Sequence, residues 1–164
     1  MRLLRHRHAL RAALVLLAIA LLAYGLLAPS KRPAAAPALP RASLQGGPVT
    51  IGSLRGHAEA IVFFASWCTP CRKEAPAVAR FARGVGRGRI VAIDYDDYGD
   101  ARAFLRRYGW TFPVLSDPDG RTGAAYDLAE GLPSWIFIDA RGEIVRRASG
   151  AQSVTALKRD LAAA

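Results

Sequence analysis

Cysteine, methionine and histidine are scarce in this 164-residue chain, which holds two cysteines, one methionine and three histidines. Two cysteines are too few for a small fold stapled by several disulfides, and they do not supply the four ligands of a structural zinc site. His6 and His8 precede a long apolar run, so only His57 lies in the later part of the chain. The sequence therefore disfavours a metal-stabilised or disulfide-stapled domain.

Acidic residues are missing from residues 1–41, which carry seven of the 23 lysines and arginines. This segment accounts for seven of the ten formal positive charges, and residues 42–164 account for the other three. In the second part the arginines are scattered among acids, which is typical of a solvated surface. We therefore expect no nucleic-acid partner.

Charged residues are also absent from residues 12–28, an unbroken apolar run. Its length is at the lower edge of a spanning helix and above that of most signal-peptide cores. Residues 1–11 carry four arginines, which predicts a cytoplasmic N-terminus and an exported C-terminal part. We expect an uncleaved signal anchor, with a cleaved signal peptide or a buried core helix as alternatives. Residues 29–41 contain four prolines and predict an extended linker, which leaves one domain at 42–164.

The two cysteines, Cys68 and Cys71, are three residues apart, directly after an apolar β-prone run and directly before a predicted helix at 69–83. Unpaired N–H groups and partial positive charge at a helix N-terminus favour a thiolate, which is the nucleophilic form of cysteine. We expect Cys68 to be the exposed attacking thiol and Cys71 to be the more buried resolving thiol. Pro70 between them suits a helix start, where an N–H donor is dispensable.

Apolar strand-like runs alternate with helical segments through the rest of the chain. The run 60–65 predicts a central strand buried on both faces, and 88–94 predicts a second, parallel strand. Four acids follow within residues 94–100; we expect Asp100 to cap a helix, with a cation site as the alternative. Pro133 stands directly before another apolar run, where its missing N–H is tolerated only at the first strand position.

The segment from Cys68 to Pro76, Cys-x-Pro-Cys-Arg-Lys-Glu-x-Pro, with Trp67 before it, resembles the TlpA-like branch of the thioredoxin superfamily, which includes the ResA and CcmG/DsbE types. The resemblance implies an α/β fold with a central mixed β-sheet flanked by helices, preceded by an N-terminal transmembrane helix. It also implies a cis peptide bond between Leu132 and Pro133, packed opposite the cysteines and used to bind substrate. By the same resemblance, the cysteines form a redox-active disulfide.

Glu74 is three residues beyond Cys71, so its carboxylate is expected near the cysteines, where it can accept a proton or raise a thiol pKa. The resemblance implies this tuning role, and the alternative is a solvent-facing acid paired with Arg72 or Arg80. Thioredoxin itself usually has an acid at the position that Val62 occupies here, which speaks against a plain thioredoxin. Trp67 is expected to shield the disulfide.

The resemblance implies a membrane-anchored thiol–disulfide oxidoreductase with its domain on the periplasmic side of the inner membrane. Its substrates would be exported proteins with cysteine pairs, such as apocytochrome c or copper-oxidase subunits. A membrane electron donor would re-reduce the pair, and no organic cofactor is expected. Two alternatives remain, a disulfide-forming oxidant or isomerase and a copper carrier, because soft thiolates suit Cu(I).

Overall fold

The computed structural model describes residues 16–17, 34–95, 98–128 and 131–164. The chain divides into two compact units, Met1–Arg32 and Pro33–Ala164. Among the described residues, no helix combines the length and the apolar character needed to cross a membrane. The signal anchor expected at 12–28 lies outside the described residues apart from 16–17, so it stays a prediction.

One mixed sheet runs through the second unit in the order β1-β7-β6-β3-β4-β5-β2. The middle strands β3, β4 and β5 pair in parallel. The other pairs are antiparallel: β6 with β3, β7 with β6, β1 with β7 and β2 with β5. The strands are β1 Ala34–Ala35, β2 Ser43–Gln45, β3 Glu59–Phe64, β4 Ile90–Tyr95, β5 Val114–Asp117, β6 Ser134–Ile138 and β7 Glu143–Ser149. The predicted α/β class with a mixed sheet is therefore confirmed.

Hydrophobic clusters cover both faces of this sheet, and every residue of its central strand β3 is buried between them. Ala60, Val62 and Phe64 face one hydrophobic cluster, and Ile61 and Phe63 face the other. This alternation is the period-two geometry of a strand, in which successive side chains point to opposite faces. A continuous apolar run is thus the sequence signature of a strand covered on both sides.

Four helices complete the fold: α1 Thr69–Arg83, α2 Ala101–Tyr108, α3 Arg121–Ala125 and α4 Val154–Ala162. The bounds predicted for α1 are those observed. The predicted N-cap Asp100 is confirmed, and Ser153 caps α4 in the same way. The carboxylate of Asp100 accepts the Ala103 N–H at 2.8 Å, and the Ser153 hydroxyl accepts the Ala156 N–H at 3.1 Å.

The expected linker 29–41 is partly a strand of the sheet. Ala34 and Ala35 pair with Ile144 and Glu143 of β7, and Leu39 is buried. The Tyr126 hydroxyl donates a hydrogen bond to the Pro37 carbonyl at 2.8 Å. The domain boundary expected at residue 42 therefore moves to Pro33. A proline-rich segment can join a sheet at its edge, since an edge strand needs only part of its N–H groups.

Candidate active site

The two cysteines stand at the junction between β3 and α1. Cys68 is the N-cap of α1 and is joined to Cys71 by a disulfide. The Cys71 main-chain N–H points at the Cys68 sulfur at 3.2 Å. Pro70 occupies the first turn, where its missing N–H costs no helical hydrogen bond. When the disulfide is reduced, the N–H group and the helix dipole both favour a thiolate at Cys68.

The expectation that Cys68 is exposed is wrong for the disulfide form. Cys68 is 4% exposed and Cys71 is 2% exposed, so both sulfurs lie under the surface. The N-cap geometry turns the Cys68 side chain back over the first turn of the helix, toward Cys71. The two thiols are therefore distinguished by their place in the helix rather than by burial.

Trp67 contacts a residue that the sequence did not single out. Its ring stacks on Tyr98, with the centroids 5.4 Å apart and the planes inclined by 6°. Trp67 is 38% exposed and Tyr98 is 81% exposed. The two rings form an exposed aromatic pair next to Cys68 in the chain. The shielding role expected for Trp67 stays a prediction.

Glu74 lies inside the protein, only 4% exposed, on the same side of α1 as Cys71. Its Oε1 atom accepts the indole N–H of Trp135 at 2.8 Å and the main-chain N–H of Gln152 at 2.6 Å. Burial raises the pKa of Glu74 to about 7, and the two hydrogen bonds partly oppose that rise. The alternative of a solvent-facing acid is wrong, and the Arg72 guanidinium donates instead to the Ser66 carbonyl.

The sequence alone does not identify the partners of Glu74. Trp135 is fully buried on β6, directly opposite Val62 of β3. Val62 is the position at which thioredoxin usually has its acid, and here this apolar residue pairs across the sheet with Trp135. One sequence feature does point to Trp135 as a partner: it follows Pro133 by two residues, in a strand expected near the cysteines. No sequence feature points to Gln152, because its main-chain N–H makes the contact and almost any residue supplies that group.

Pro133 is buried at the start of β6, and the Leu132–Pro133 peptide bond is cis, as the resemblance implied. Ser134, the next residue, pairs with Phe63 near the end of β3 that leads to Cys68. The antiparallel register therefore brings the proline to the same edge of the sheet as the cysteines. Leu132 is half-buried and packs against both hydrophobic clusters.

A mixed sheet whose central strand leads into a Cys-x-x-Cys helix, with a cis-proline at the same sheet edge, defines the thioredoxin-like class of thiol–disulfide proteins. The chain belongs to the AhpC/TSA family, whose sequence pattern matches residues 33–147. The thioredoxin-like assignment made from the cysteine motif is thereby confirmed.

Named relatives carry thiol–disulfide functions. The chain is 34% identical over 115 residues to the thiol:disulfide interchange protein CycY of Rhizobium leguminosarum bv. viciae, covering 69% of this chain and 61% of CycY. It is 32% identical over 108 residues to the thiol-disulfide oxidoreductase ResA of Bacillus subtilis, covering 64% of this chain and 60% of ResA. The chain thus spans about three fifths of the length of these two relatives.

A solved structure shares the fold. The crystal structure of a putative thiol:disulfide interchange protein DsbE from Chlorobium tepidum superimposes with a TM-score of 0.68 at 28% identity. The match covers 80% of this chain and 95% of that one. The likeness therefore extends far beyond the cysteine motif.

Proposed function

We propose that the chain is a protein-disulfide reductase that acts on exported proteins through Cys68 and Cys71. The observation that carries this proposal is the cysteine pair at the N-terminus of α1 with a buried carboxylate, Glu74, one turn further along the same helix. Relatives named as thiol–disulfide oxidoreductases support the same reaction. The cysteine pair itself carries the electrons, so the exchange needs no bound organic cofactor.

The reaction proceeds by two sulfur displacements. The Cys68 thiolate attacks one sulfur of the substrate disulfide; the other substrate sulfur leaves and takes up a proton. Cys71 then gives its thiol proton to the Glu74 carboxylate and attacks the Cys68 sulfur. The internal disulfide forms, and the second substrate sulfur leaves and is protonated. Two electrons pass from the cysteine pair to the substrate.

The substrate chain docks at the sheet edge formed by Leu132 and Pro133. A proline removes one main-chain donor and leaves neighbouring main-chain groups available to an incoming strand. The exposed Trp67 and Tyr98 rings offer an apolar surface beside the reacting sulfur. Main-chain recognition of this kind suits many protein substrates, because it does not read their side chains.

Residues 12–28 anchor the chain in the inner membrane and place the domain on the periplasmic side. This part of the proposal rests on the uncharged run and the four arginines before it. A membrane electron donor re-reduces the cysteine pair there. The substrates are cysteine pairs of exported proteins such as apocytochrome c or copper-oxidase subunits, as the TlpA-like resemblance implies.

The reduction potential of the Cys68–Cys71 pair tests the direction of the reaction. We expect a value near or below about −220 mV in glutathione and dithiothreitol buffers, since a reductase must be a stronger electron donor than its substrates. A Cys71→Ser variant, which has no internal disulfide to equilibrate, is the control. A value near about −120 mV would contradict the proposal and would make the protein a disulfide-forming oxidant.

A further inference from the structure

Two N–H groups from different parts of the chain meet on one oxygen of Glu74. One belongs to the Trp135 side chain on β6, and the other to the main chain of Gln152 in the loop between β7 and α4. Both lie within 2.8 Å of Oε1. A carboxylate oxygen that accepts two N–H donors is poorly suited to take up a proton as well. The two oxygens of Glu74 therefore differ, since both N–H donors bind Oε1.

The loop that donates a hydrogen bond to Glu74 also donates one to Pro133. The Gly150 N–H donates to the Pro133 carbonyl at 2.9 Å. The Gln152 side-chain amide donates to the Ser149 and Gly150 carbonyls at 3.1 and 2.9 Å, which ties the loop to itself. One short segment, residues 149–152, thus connects the substrate-docking edge with the carboxylate.

The indole of Trp135 is held in place from several directions. It is fully buried, packs edge-on against Phe81 of α1, and lies nearly parallel to Phe137 two residues along β6. A buried indole N–H without a partner would be costly, so the bond to Glu74 also satisfies Trp135. The geometry of the pair is therefore set by packing before any substrate binds.

We propose that Trp135 is a positioning residue for proton exchange between Glu74 and Cys71. Together with the Gln152 main-chain N–H it forms the Glu74 clamp, which occupies Oε1 and leaves Oε2 as the atom that takes the Cys71 proton. This inference rests on the proton-accepting role of Glu74 in the proposed function. In the resolving step the S–H bond of Cys71 breaks and an O–H bond forms at Oε2, while the Cys71 sulfur displaces the substrate from Cys68.

The groups around Glu74 set the pH at which it works. Trp135 of β6 and Gln152 of the loop donate hydrogen bonds to it, and Cys71 is a buried residue three positions earlier on α1. Burial is the main cause of the pKa of Glu74 near 7. Loss of the Trp135 N–H removes a bond that favours the ionised carboxylate, so the pKa of Glu74 rises. Proton transfer to Glu74 is then lost at pH values where the native protein still performs it.

The test compares Trp135→Phe with Trp110→Phe in the full chain, kept in mild detergent because of residues 12–28. Trp110 is a matched control, since its buried indole N–H donates to the Ala75 carbonyl of the same helix at 3.1 Å and not to Glu74. Reduced protein is mixed with dithiobis-nitrobenzoate. The first release of thionitrobenzoate reports attack by Cys68, and the second reports resolution by Cys71.

We expect the second phase to rise with pH through a midpoint near 7 in the native chain. Trp135→Phe moves this midpoint up by about one pH unit and slows the phase roughly tenfold below it, as loss of a hydrogen bond to a charged group predicts. The first phase and the Trp110→Phe profile are unchanged. Equal shifts in both tryptophan variants would show a merely structural effect and overturn the proposal.

The Glu74→Gln variant tests the proton-accepting role of Glu74 separately from the role of Trp135. If Glu74→Gln leaves the pH profile of the second phase intact, the proton-accepting role of Glu74 fails, and the clamp fails with it. If Glu74→Gln flattens the profile while Trp135→Phe keeps the native midpoint, only the clamp is wrong.

A second measurement does not depend on whether Trp135→Phe folds. It follows the NMR signal of the Trp135 indole N–H in the native chain as the pH is changed. The chain has three tryptophans, so three indole signals are expected. We expect the Trp135 signal to titrate with a midpoint near 7 and to lose that titration in Glu74→Gln, while the Trp110 signal stays constant. A Trp135 signal that does not change between about pH 5 and 9 would also overturn the proposal.

Discussion

At the scale of single residues, two buried glutamates occupy contrasting environments. Glu74 beside the cysteines has two N–H partners on one oxygen. Glu59, the first residue of β3, is 1% exposed and has its Oε1 atom 2.8 Å from Nε2 of His57. Its Oε2 atom has no hydrogen-bond partner in the part of the chain that the structure describes. Two hydrogen bonds thus stabilise the buried carboxyl of Glu74, whereas burial of the Glu59 carboxyl is a cost to the fold.

Replacement of Glu59 by Gln is expected to remove part of the pH dependence of stability. Burial raises the pKa of Glu59 to about 8, against the opposing charge of Arg89. The folded state therefore holds a proton that the unfolded state releases above about pH 4.5, and the free energy of unfolding falls as pH rises from 4.5 to 8. The fall is at most about 1.4 kcal/mol per pH unit, and Glu59→Gln lacks it.

Urea unfolding of the native chain and Glu59→Gln at several pH values measures this difference. Glu74 also titrates in the window, so the comparison of the two curves isolates Glu59. Asp119→Asn, at an exposed carboxylate, is the control and should follow the native curve. Parallel curves for native protein and Glu59→Gln between pH 5 and 8 would contradict the prediction.

At the scale of elements, Asp117 shows how a strand end builds the next helix. The residue closes β5 and is 3% exposed. Its two carboxylate oxygens accept the main-chain N–H groups of Thr122 and Gly123 in α3 at 3.0 and 2.8 Å. A helix of five residues has little stability of its own, so its N–H groups depend on such a partner.

Asp117→Ala is expected to lower the free energy of unfolding by about 2–3 kcal/mol, because one buried and one half-buried N–H group lose their charged acceptor. Asp119→Ala is the matched control, since Asp119 lies two residues away in the same turn but is half exposed and pairs with exposed Arg121. Its effect should stay within about 0.5 kcal/mol. Equal losses in the two variants, measured by urea unfolding, would show that the turn rather than the Asp117 carboxylate supports α3.

At the scale of the whole molecule, residues 34–41 complete the second unit. β1 covers the outer edge of β7, Leu39 enters the core, and Pro37 accepts the Tyr126 hydroxyl. An uncovered edge strand exposes unpaired main-chain groups to other chains. The segment therefore contributes stability and protects the sheet edge.

A chain of residues 42–164 is expected to be less stable than one of residues 33–164 by about 2 kcal/mol, mainly because the buried Leu39 side chain is lost. Urea unfolding of the two chains measures the difference. Leu39→Ala in the longer chain is the control and should reproduce most of the loss. Equal stability of the two chains would show that residues 33–41 only rest on the sheet.

The sequence alone determined the position of the cysteine pair and most of the elements. Two cysteines three residues apart after an apolar strand-like run predict a reactive pair at a helix start, and the family resemblance implies their disulfide. The bounds of α1 and the caps Asp100 and Ser153 follow from local patterns, and such patterns depend on neighbours within a few residues. The cis bond before Pro133 came from family resemblance, because an isolated X–Pro bond is mostly trans.

The tertiary structure decided what surrounds that chemistry. The burial of Cys68, the place of residues 34–41 on the sheet, and the contacts of Trp135 and Gln152 with Glu74 join residues far apart in the chain. A carboxylate three residues after Cys71 has the same local sequence whether it faces solvent or the core. Its environment is set by which strand and loop pack over α1, and burial there raises its pKa toward neutrality.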